Sequence, residues 1–130
     1  MDKAKTKCRD IMFRSDKNQK VLCVHSVAAR EYAKVLEMDS KVVSYEVCVE
    51  LDRERYPYVD SVDIRKEYFS MAWATDFKVS YADGHVGICE IAVKSMLEKR
   101  ANIEKLEFSR RYWSATEAAE WKLILMEKGE

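Results

Sequence analysis

Residues 73–94 constrain the fold more than any other part of the chain, because two β-prone runs flank the dipeptide Asp83-Gly84 there. Asp-Gly between alternating runs is typical of a β-hairpin with a primed turn, since that turn needs positive φ angles that glycine adopts freely. Side chains alternate between the two faces of a strand, so each strand is expected to have a polar and an apolar face. The sequence therefore predicts an antiparallel strand pair at the centre of the fold.

The predicted hairpin carries candidate catalytic residues. Asp76 lies on its first strand, and Glu90 and Lys94 share one face of its second strand. In a metal-dependent nuclease, carboxylates hold a hard divalent cation, and a lysine stabilises the attacking water or the charge that develops on phosphate. An ordinary hairpin with a hydrated polar face has the same pattern. The pattern alone favours the ordinary hairpin.

Size and composition favour one domain. A chain of 130 residues can bury a real core, and three glycines with one proline leave little room for a flexible linker. We expect a basic N-terminal arm over residues 1–10 and a single domain over residues 11–130. No apolar run reaches membrane-spanning length and no signal segment precedes the domain, so we expect a cytoplasmic protein without membrane association.

The four cysteines are widely spaced and form no CxxC pair. This spacing argues against a structural zinc site and favours free thiols in a reducing compartment. The formal net charge is zero, so nucleic-acid binding would depend on a local basic patch. One basic zone covers residues 94–111, and its candidate DNA-binding residues are Lys99, Arg100, Lys105, Arg110 and Arg111. The same charges would also suit an ordinary solvated face.

The order of elements predicts an α/β fold with a mixed β-sheet flanked by α-helices. The predicted elements are a hairpin over 11–24, a helix from the cap Ser26 to 38, strands over 42–51 and 56–64, the central hairpin, a helix over 95–113 and a strand over 121–126. The first helix is expected to bury Val27, Ala28, Tyr32, Val35 and Leu36. The helix over 95–113 is apolar on two sides, with Ile103 on one and Phe108 on the other, which predicts that it is sandwiched.

Several motifs occur in a specific order along the chain. The first motif covers residues 102–113, which read NIEKLEFSRRYW and precede a strand that begins with tryptophan. The second motif combines Thr75-Asp76-Phe77 with Val93-Lys94. The third and fourth motifs lie within residues 36–45 and 14–21. Together they resemble the nuclease domain of TnsA, the endonuclease subunit of heteromeric transposases, in which the first motif reads LEKLELERRYW. The resemblance is collinear over about residues 12–126.

The resemblance implies a restriction-endonuclease-like core of the PD-(D/E)XK superfamily. It also implies a Mg²⁺-dependent enzyme that nicks the 5′ ends of a transposon beside a second transposase subunit. Its expected partners are double-stranded DNA and a transposase-type protein.

The family's active site is only half present in this sequence. Asp76 and Lys94 match, but the helix glutamate of the family falls on Ala29 and its strand Glu/Gln falls on Ala92. A methyl group cannot bind a cation, so Mg²⁺ should bind weakly and cleavage should be slow. Glu90, two residues before Ala92, is the candidate substitute ligand. His25, one turn before Ala29, could also ligate a metal, but Mg²⁺ prefers oxygen.

Three functions remain open at this stage. The favoured one is a nuclease-fold protein with impaired catalysis that binds DNA or a transposase-type partner. The second is an active Mg²⁺-dependent endonuclease, with Asp76 and Glu90 on the metal and Lys94 assisting the water; it requires the two carboxylates to lie within reach of one cation. The third is a non-enzymatic homodimeric structural protein that uses the strand 42–51 and the helix 95–113.

Overall fold

The computed structural model describes residues 10–116, 118 and 120–127. Apart from the exposed Asp10, the arm predicted for residues 1–10 lies outside the described residues. The strands and helices are β1 (Ile11–Ser15), β2 (Lys20–Val24), α1 (Val27–Met38), β3 (Val42–Glu50), β4 (Ala74–Tyr81), β5 (Val86–Val93), α2 (Arg100–Ser114) and β6 (Glu120–Met126). Short 3₁₀ helices cover Arg53–Tyr58, Lys66–Ser70 and Lys94–Glu98. Within the described part of the chain, no helix is long and apolar enough to cross a membrane.

A four-stranded mixed sheet in the order β3-β4-β5-β6 forms the centre of the molecule. Its pairs are antiparallel except for β5 and β6, which are parallel, and β1 and β2 form a separate antiparallel hairpin. Neighbouring residues of β5 enter different apolar clusters: Ile88 packs with residues of α2, and Cys89 packs with residues of α1. Because adjacent strand residues point to opposite faces, the two helices cover opposite faces of the sheet. The predicted α/β class with a mixed, helix-flanked sheet is confirmed.

The central hairpin is present, but its turn differs from the prediction. Gly84 has a φ angle of 95°, whereas Asp83 has no positive φ. The backbone N–H of Tyr81 donates to the carbonyl oxygen of His85 at 3.0 Å, which closes a loop longer than two residues. A primed type I′ turn needs two positive φ angles, whereas longer loops place one glycine in the left-handed region. The Asp-Gly signal therefore located the hairpin correctly and the turn type wrongly.

The strand predicted over residues 56–64 is wrong. The chain forms a 3₁₀ helix over Arg53–Tyr58 and then irregular structure. Pro57 has no N–H to donate to a strand ladder, which disfavours a central strand. Tyr56 is buried, and its hydroxyl donates to the carbonyl oxygen of Met71 at 3.0 Å. This hydrogen bond and the packing of Tyr56 hold the segment over α2 as a covering loop.

The buried faces of both helices match the prediction only in part. In α1 Ala28 and Leu36 are buried as predicted, but Ala29 and Ala33 are buried as well, and Val35 is 51% exposed. The alanines suit a close approach of the helix to the sheet, which a larger side chain would prevent. In α2, which begins at Arg100 rather than at residue 95, Phe108 is buried but Ile103 is 44% exposed. Trp113 contacts Thr75 of the sheet and Phe108 contacts Tyr56 of the covering loop, so α2 lies between these two surfaces. The prediction of a sandwiched helix is therefore confirmed in part, because Ile103 stays exposed.

The β1–β2 hairpin is attached to the rest of the fold through Glu37 of α1. One oxygen of this carboxylate accepts hydrogen bonds from the hydroxyls of Ser15 and Tyr45, both at 2.6 Å. These hydrogen bonds lower the pKa of Glu37 despite its partial burial. Asn18 adds a second link, because its Oδ1 accepts the backbone N–H of Tyr45 at 2.8 Å. The hairpin is thereby fixed beside β3.

Phe77 of β4 should be a principal source of stability. It is fully buried and packs edge-on against the rings of Tyr32 and Tyr45, at centroid distances of 5.6 and 5.8 Å. We expect Phe77→Ala to lower the free energy of unfolding by about 3–5 kcal/mol, because it leaves a cavity between the sheet and α1. Met38→Ala is the control: Met38 is 86% exposed, and its replacement should change stability by less than about 0.5 kcal/mol. Urea unfolding of the two variants tests the difference, and equal losses would contradict the assignment of the core.

Candidate functional site

The two strands of the central hairpin separate where their acidic residues lie. Backbone pairing of β4 with β5 runs from Ser80 opposite Val86 to Phe77 opposite Cys89. Beyond this point the carboxylates of Asp76 and Glu90 bridge the two strands. The backbone N–H of Asp76 donates to Glu90 Oε1 at 3.1 Å, and the backbone N–H of Ile91 donates to Asp76 Oδ2 at 2.8 Å. Side chains thus replace the sheet hydrogen bonds at this end of the hairpin.

The carboxylate of Glu90 is the centre of a buried hydrogen-bond network. Glu90 is 6% exposed, and its Oε2 accepts hydrogen bonds from the hydroxyls of Thr75 at 2.7 Å and Ser109 at 2.5 Å. Each hydroxyl in turn accepts an indole N–H: that of Trp113 on Thr75 at 2.8 Å, and that of Trp121 on Ser109 at 2.9 Å. The network ties β4, β5, α2 and β6 together through one carboxylate.

Burial raises the pKa of both carboxyl groups above their ordinary values. It raises the pKa of Asp76 to about 7, helped by the nearby Glu90 and opposed by the Ile91 N–H. Burial also raises the pKa of Glu90, against the hydrogen bonds from Ser109 and Thr75. Burial and the nearby charge of Glu90 therefore both favour the protonated form of Asp76. Near neutral pH the pair therefore carries less negative charge than two ordinary carboxylates.

The structure brings Asp76 and Glu90 together as the endonuclease interpretation requires, but it does not add Lys94 to them. Lys94 is exposed and begins the 3₁₀ helix that follows β5. In the part of the chain that the structure describes, no hydrogen bond or ion pair links Lys94 to either carboxyl group. Ala29 and Ala92, which occupy the other two family positions, are buried in the core with 3% and 1% exposure. Neither position has a ligand atom to offer.

The pair does not fit Mg²⁺ in this arrangement. Mg²⁺ needs near-octahedral oxygen ligands, and a carboxylate that binds it must offer an unoccupied lone pair. Both oxygens of Glu90 already accept hydrogen bonds from Thr75, Ser109 and the backbone of Asp76. Oδ2 of Asp76 accepts the backbone N–H of Ile91. A cation that binds both carboxylates would have to compete with these hydrogen bonds and break part of the buried network.

Three of the five candidate DNA-binding residues pair with carboxylates of their own helix. The ion pairs are Arg100–Glu104, Arg110–Glu107 and Arg111–Glu107, with N···O distances of 2.9, 2.6 and 2.8 Å. Of the other two, Lys105 lies over the ring of Trp73, 5.3 Å from its centroid, and Lys99 precedes the first turn of α2. The surface of α2 is therefore less basic than the sequence suggests.

Sequence reasoning missed the hydroxyl and indole groups that hold Glu90. Ser109 and Trp113 lie four residues apart, on the face of α2 that packs against the sheet. A serine on an otherwise apolar helical face must find a buried hydrogen-bond partner, and that signal was present in the sequence. Thr75 gave no comparable signal, because threonine is common in strands for its shape alone.

Ser109 offers a direct test of the network. Replacing it with alanine removes a donor from Glu90 and leaves the indole N–H of Trp121 without its acceptor. We expect Ser109→Ala to lower the free energy of unfolding by about 1–3 kcal/mol, the usual cost of unsatisfied buried polar groups. The control is Ser114→Ala, since Ser114 is exposed at the end of α2, and there we expect a change below about 0.5 kcal/mol. Chemical denaturation at neutral pH distinguishes these outcomes.

The raised pKa of Asp76 predicts a pH dependence of stability. In the folded protein this pKa is about 7 instead of its ordinary 3.8, so between these pH values the folded state binds more protons than the unfolded state. The stability that depends on the bound proton is complete below the unfolded pKa and is lost as the pH rises through 7. We therefore expect Asp76→Asn, which keeps an oxygen for the Ile91 N–H, to reduce the fall in unfolding free energy between about pH 4 and 8. Urea titrations across this range measure the slope, and identical slopes in the two proteins would contradict the assignment.

No protein-family model and no curated protein matches this chain. The resemblance to the TnsA nuclease domain thus depends on the motifs of the sequence, and the functional interpretation depends on the geometry of the Asp76–Glu90 pair.

Proposed function

We propose that this protein has a nuclease-like fold and acts by binding a transposase-type partner or DNA rather than by cutting DNA. The observation that carries the proposal is that interior groups of the protein already hydrogen bond to the carboxylate oxygens of Asp76 and Glu90. In a working nuclease the equivalent carboxylates face a cation, whereas here they accept hydrogen bonds from the protein interior. The TnsA resemblance supplies the classes of partner.

The buried network is a physical reason for weak cation binding. Metal ligation would strip hydrogen bonds from Glu90 and leave the hydroxyls of Thr75 and Ser109 without their acceptor. Each buried polar group that loses its partner costs about 1–3 kcal/mol, which the cation would have to offset. The alanines at positions 29 and 92 provide no replacement oxygen. Metal-assisted stabilisation of a phosphodiester transition state is therefore expected to be very weak.

The charge pattern of α2 favours a protein partner over duplex DNA. Affinity for DNA depends largely on cationic side chains that neutralise phosphates, and the ion pairs with Glu104 and Glu107 offset much of the positive charge of three arginines. Beside these pairs lies a cleft of about 440 Å³ whose lining includes Ile64, Leu97 and Ile103. Apolar side chains beside arginine–glutamate pairs are typical of a protein contact surface.

A nicking assay tests the proposal. We expect supercoiled plasmid incubated with the protein and either Mg²⁺ or Mn²⁺ to stay intact at the level of the buffer control. The physical reason is that both oxygens of Glu90 and Oδ2 of Asp76 already accept hydrogen bonds from the protein. Asp76→Asn and Lys94→Ala serve as matched variants, and both should behave as the unmodified protein does.

Metal-dependent nicking that disappears in Asp76→Asn would overturn the proposal and establish the endonuclease alternative with Asp76, Glu90 and Lys94. A gel-shift titration of the same protein measures duplex binding, for which non-specific affinity of about 10⁻⁴–10⁻⁶ M is expected. Size measurement in solution tests the homodimer alternative.

A further inference from the structure

The open end of the β1–β2 hairpin brings together three potential metal ligands. The last pair of the hairpin is Ile11 opposite Val24, so Asp10 and His25 are the next residues on the two strands. The Nδ1 atom of His25 lies 3.2 Å from Oδ1 of Asp10. Cys23, two residues before His25, points to the same side of β2. One carboxylate, one thiol and one imidazole therefore converge at this point.

The distances among these groups are close to those of a coordination sphere. One ligand atom from each of Asp10, Cys23 and His25 lies within 4.8 Å of the other two. Zinc–ligand bonds of about 2.0–2.3 Å in a tetrahedron place ligand atoms roughly 3.3–3.8 Å apart. No gap therefore has to close by more than about 1–1.5 Å. Asp10 and His25 are exposed and Cys23 is partly buried, so the site is open to a cation from solvent.

We propose that Asp10, Cys23 and His25 form a binding site for a thiophilic divalent cation such as Zn²⁺ or Co²⁺. Thiolate and imidazole ligands select these ions over Mg²⁺, which prefers oxygen. Binding requires the thiol of Cys23 to lose its proton, which passes to the solvent as the metal–sulfur bond forms. The site goes beyond the proposed function, because it uses none of the residues assigned to the nuclease-like pair.

The site adjoins the Asp76–Glu90 pair. The Sγ atom of Cys48 donates to the carbonyl oxygen of Cys23 at 3.6 Å, which places β3 against the hairpin. In the pairing of β3 with β4, Val47 lies opposite Phe77 and Val49 opposite Thr75, so Cys48 is beside Asp76 on the neighbouring strand. Three protein ligands leave one position of a tetrahedral ion for water or an external ligand, as in catalytic rather than structural zinc sites.

Cobalt titration of the intact, reduced protein tests the site. We expect Co²⁺ to bind with 1:1 stoichiometry and to give a thiolate-to-cobalt charge-transfer band in the near ultraviolet. Cys23→Ser should abolish the band, and His25→Ala and Asp10→Asn should each weaken cobalt binding by about tenfold or more. Zn²⁺ should displace the cobalt, whereas a large excess of Mg²⁺ should not.

Another cysteine variant makes the result specific. Cys89 is buried beside Tyr32, so Cys89→Ser should retain the band. A band that survives in Cys23→Ser, or no band in the unmodified protein, would overturn the proposal. Thermal unfolding with and without Zn²⁺ provides a second measurement: the zinc-induced rise in Tm should be present in Cys89→Ser and absent in Cys23→Ser.

Discussion

The hydrogen bonds to the buried carboxyl group of Glu90 are the interaction on which the rest of the structure depends. A buried carboxyl group is costly unless its oxygens find hydrogen-bond donors, and Glu90 draws them from β4 and α2. The indoles of Trp113 and Trp121 extend these contacts to a second layer. A buried polar network with an unsatisfied member is less stable than an apolar core. The elements that supply the donors are therefore held in one position relative to each other.

The same network explains why a nuclease-like carboxylate pair need not bind a nuclease-type cation. Asp76 and Glu90 lie at the separated end of two antiparallel strands, where a cation would be coordinated by two carboxylates. The hydroxyls of Thr75 and Ser109 take up the lone pairs that such a cation would use. The raised pKa of both groups favours protonation, which reduces the negative charge that would attract a cation.

Two kinds of ligand chemistry meet at this end of the molecule. The oxygen-only pair faces the interior, whereas Asp10, Cys23 and His25 combine oxygen, sulfur and nitrogen at the exposed end of the β1–β2 hairpin. The absence of a CxxC pair in the sequence argued against zinc, but that argument applies to structural sites built from paired cysteines. Cys23 and His25, together with Asp10 from the other side of the hairpin, offer ligand types that zinc prefers without a CxxC pair.

The sequence by itself determined the α/β class, the two long helices and the central hairpin, because these follow from local periodicity and from one turn signal. It left the approach of Glu90 to Asp76 as a requirement of one alternative. It misjudged residues 56–64, where Pro57 and the buried Tyr56 outweigh strand propensity, and it placed Val35 of α1 in the core, where Ala29 and Ala33 lie instead. Only the tertiary structure decided that Thr75 and Ser109, far apart in the chain, occupy the oxygens of Glu90. It also decided that Asp10 reaches Cys23 and His25. Hydrogen bonds and ligand clusters join residues distant in sequence, and no local pattern encodes which partners the packed sheet and helices bring together.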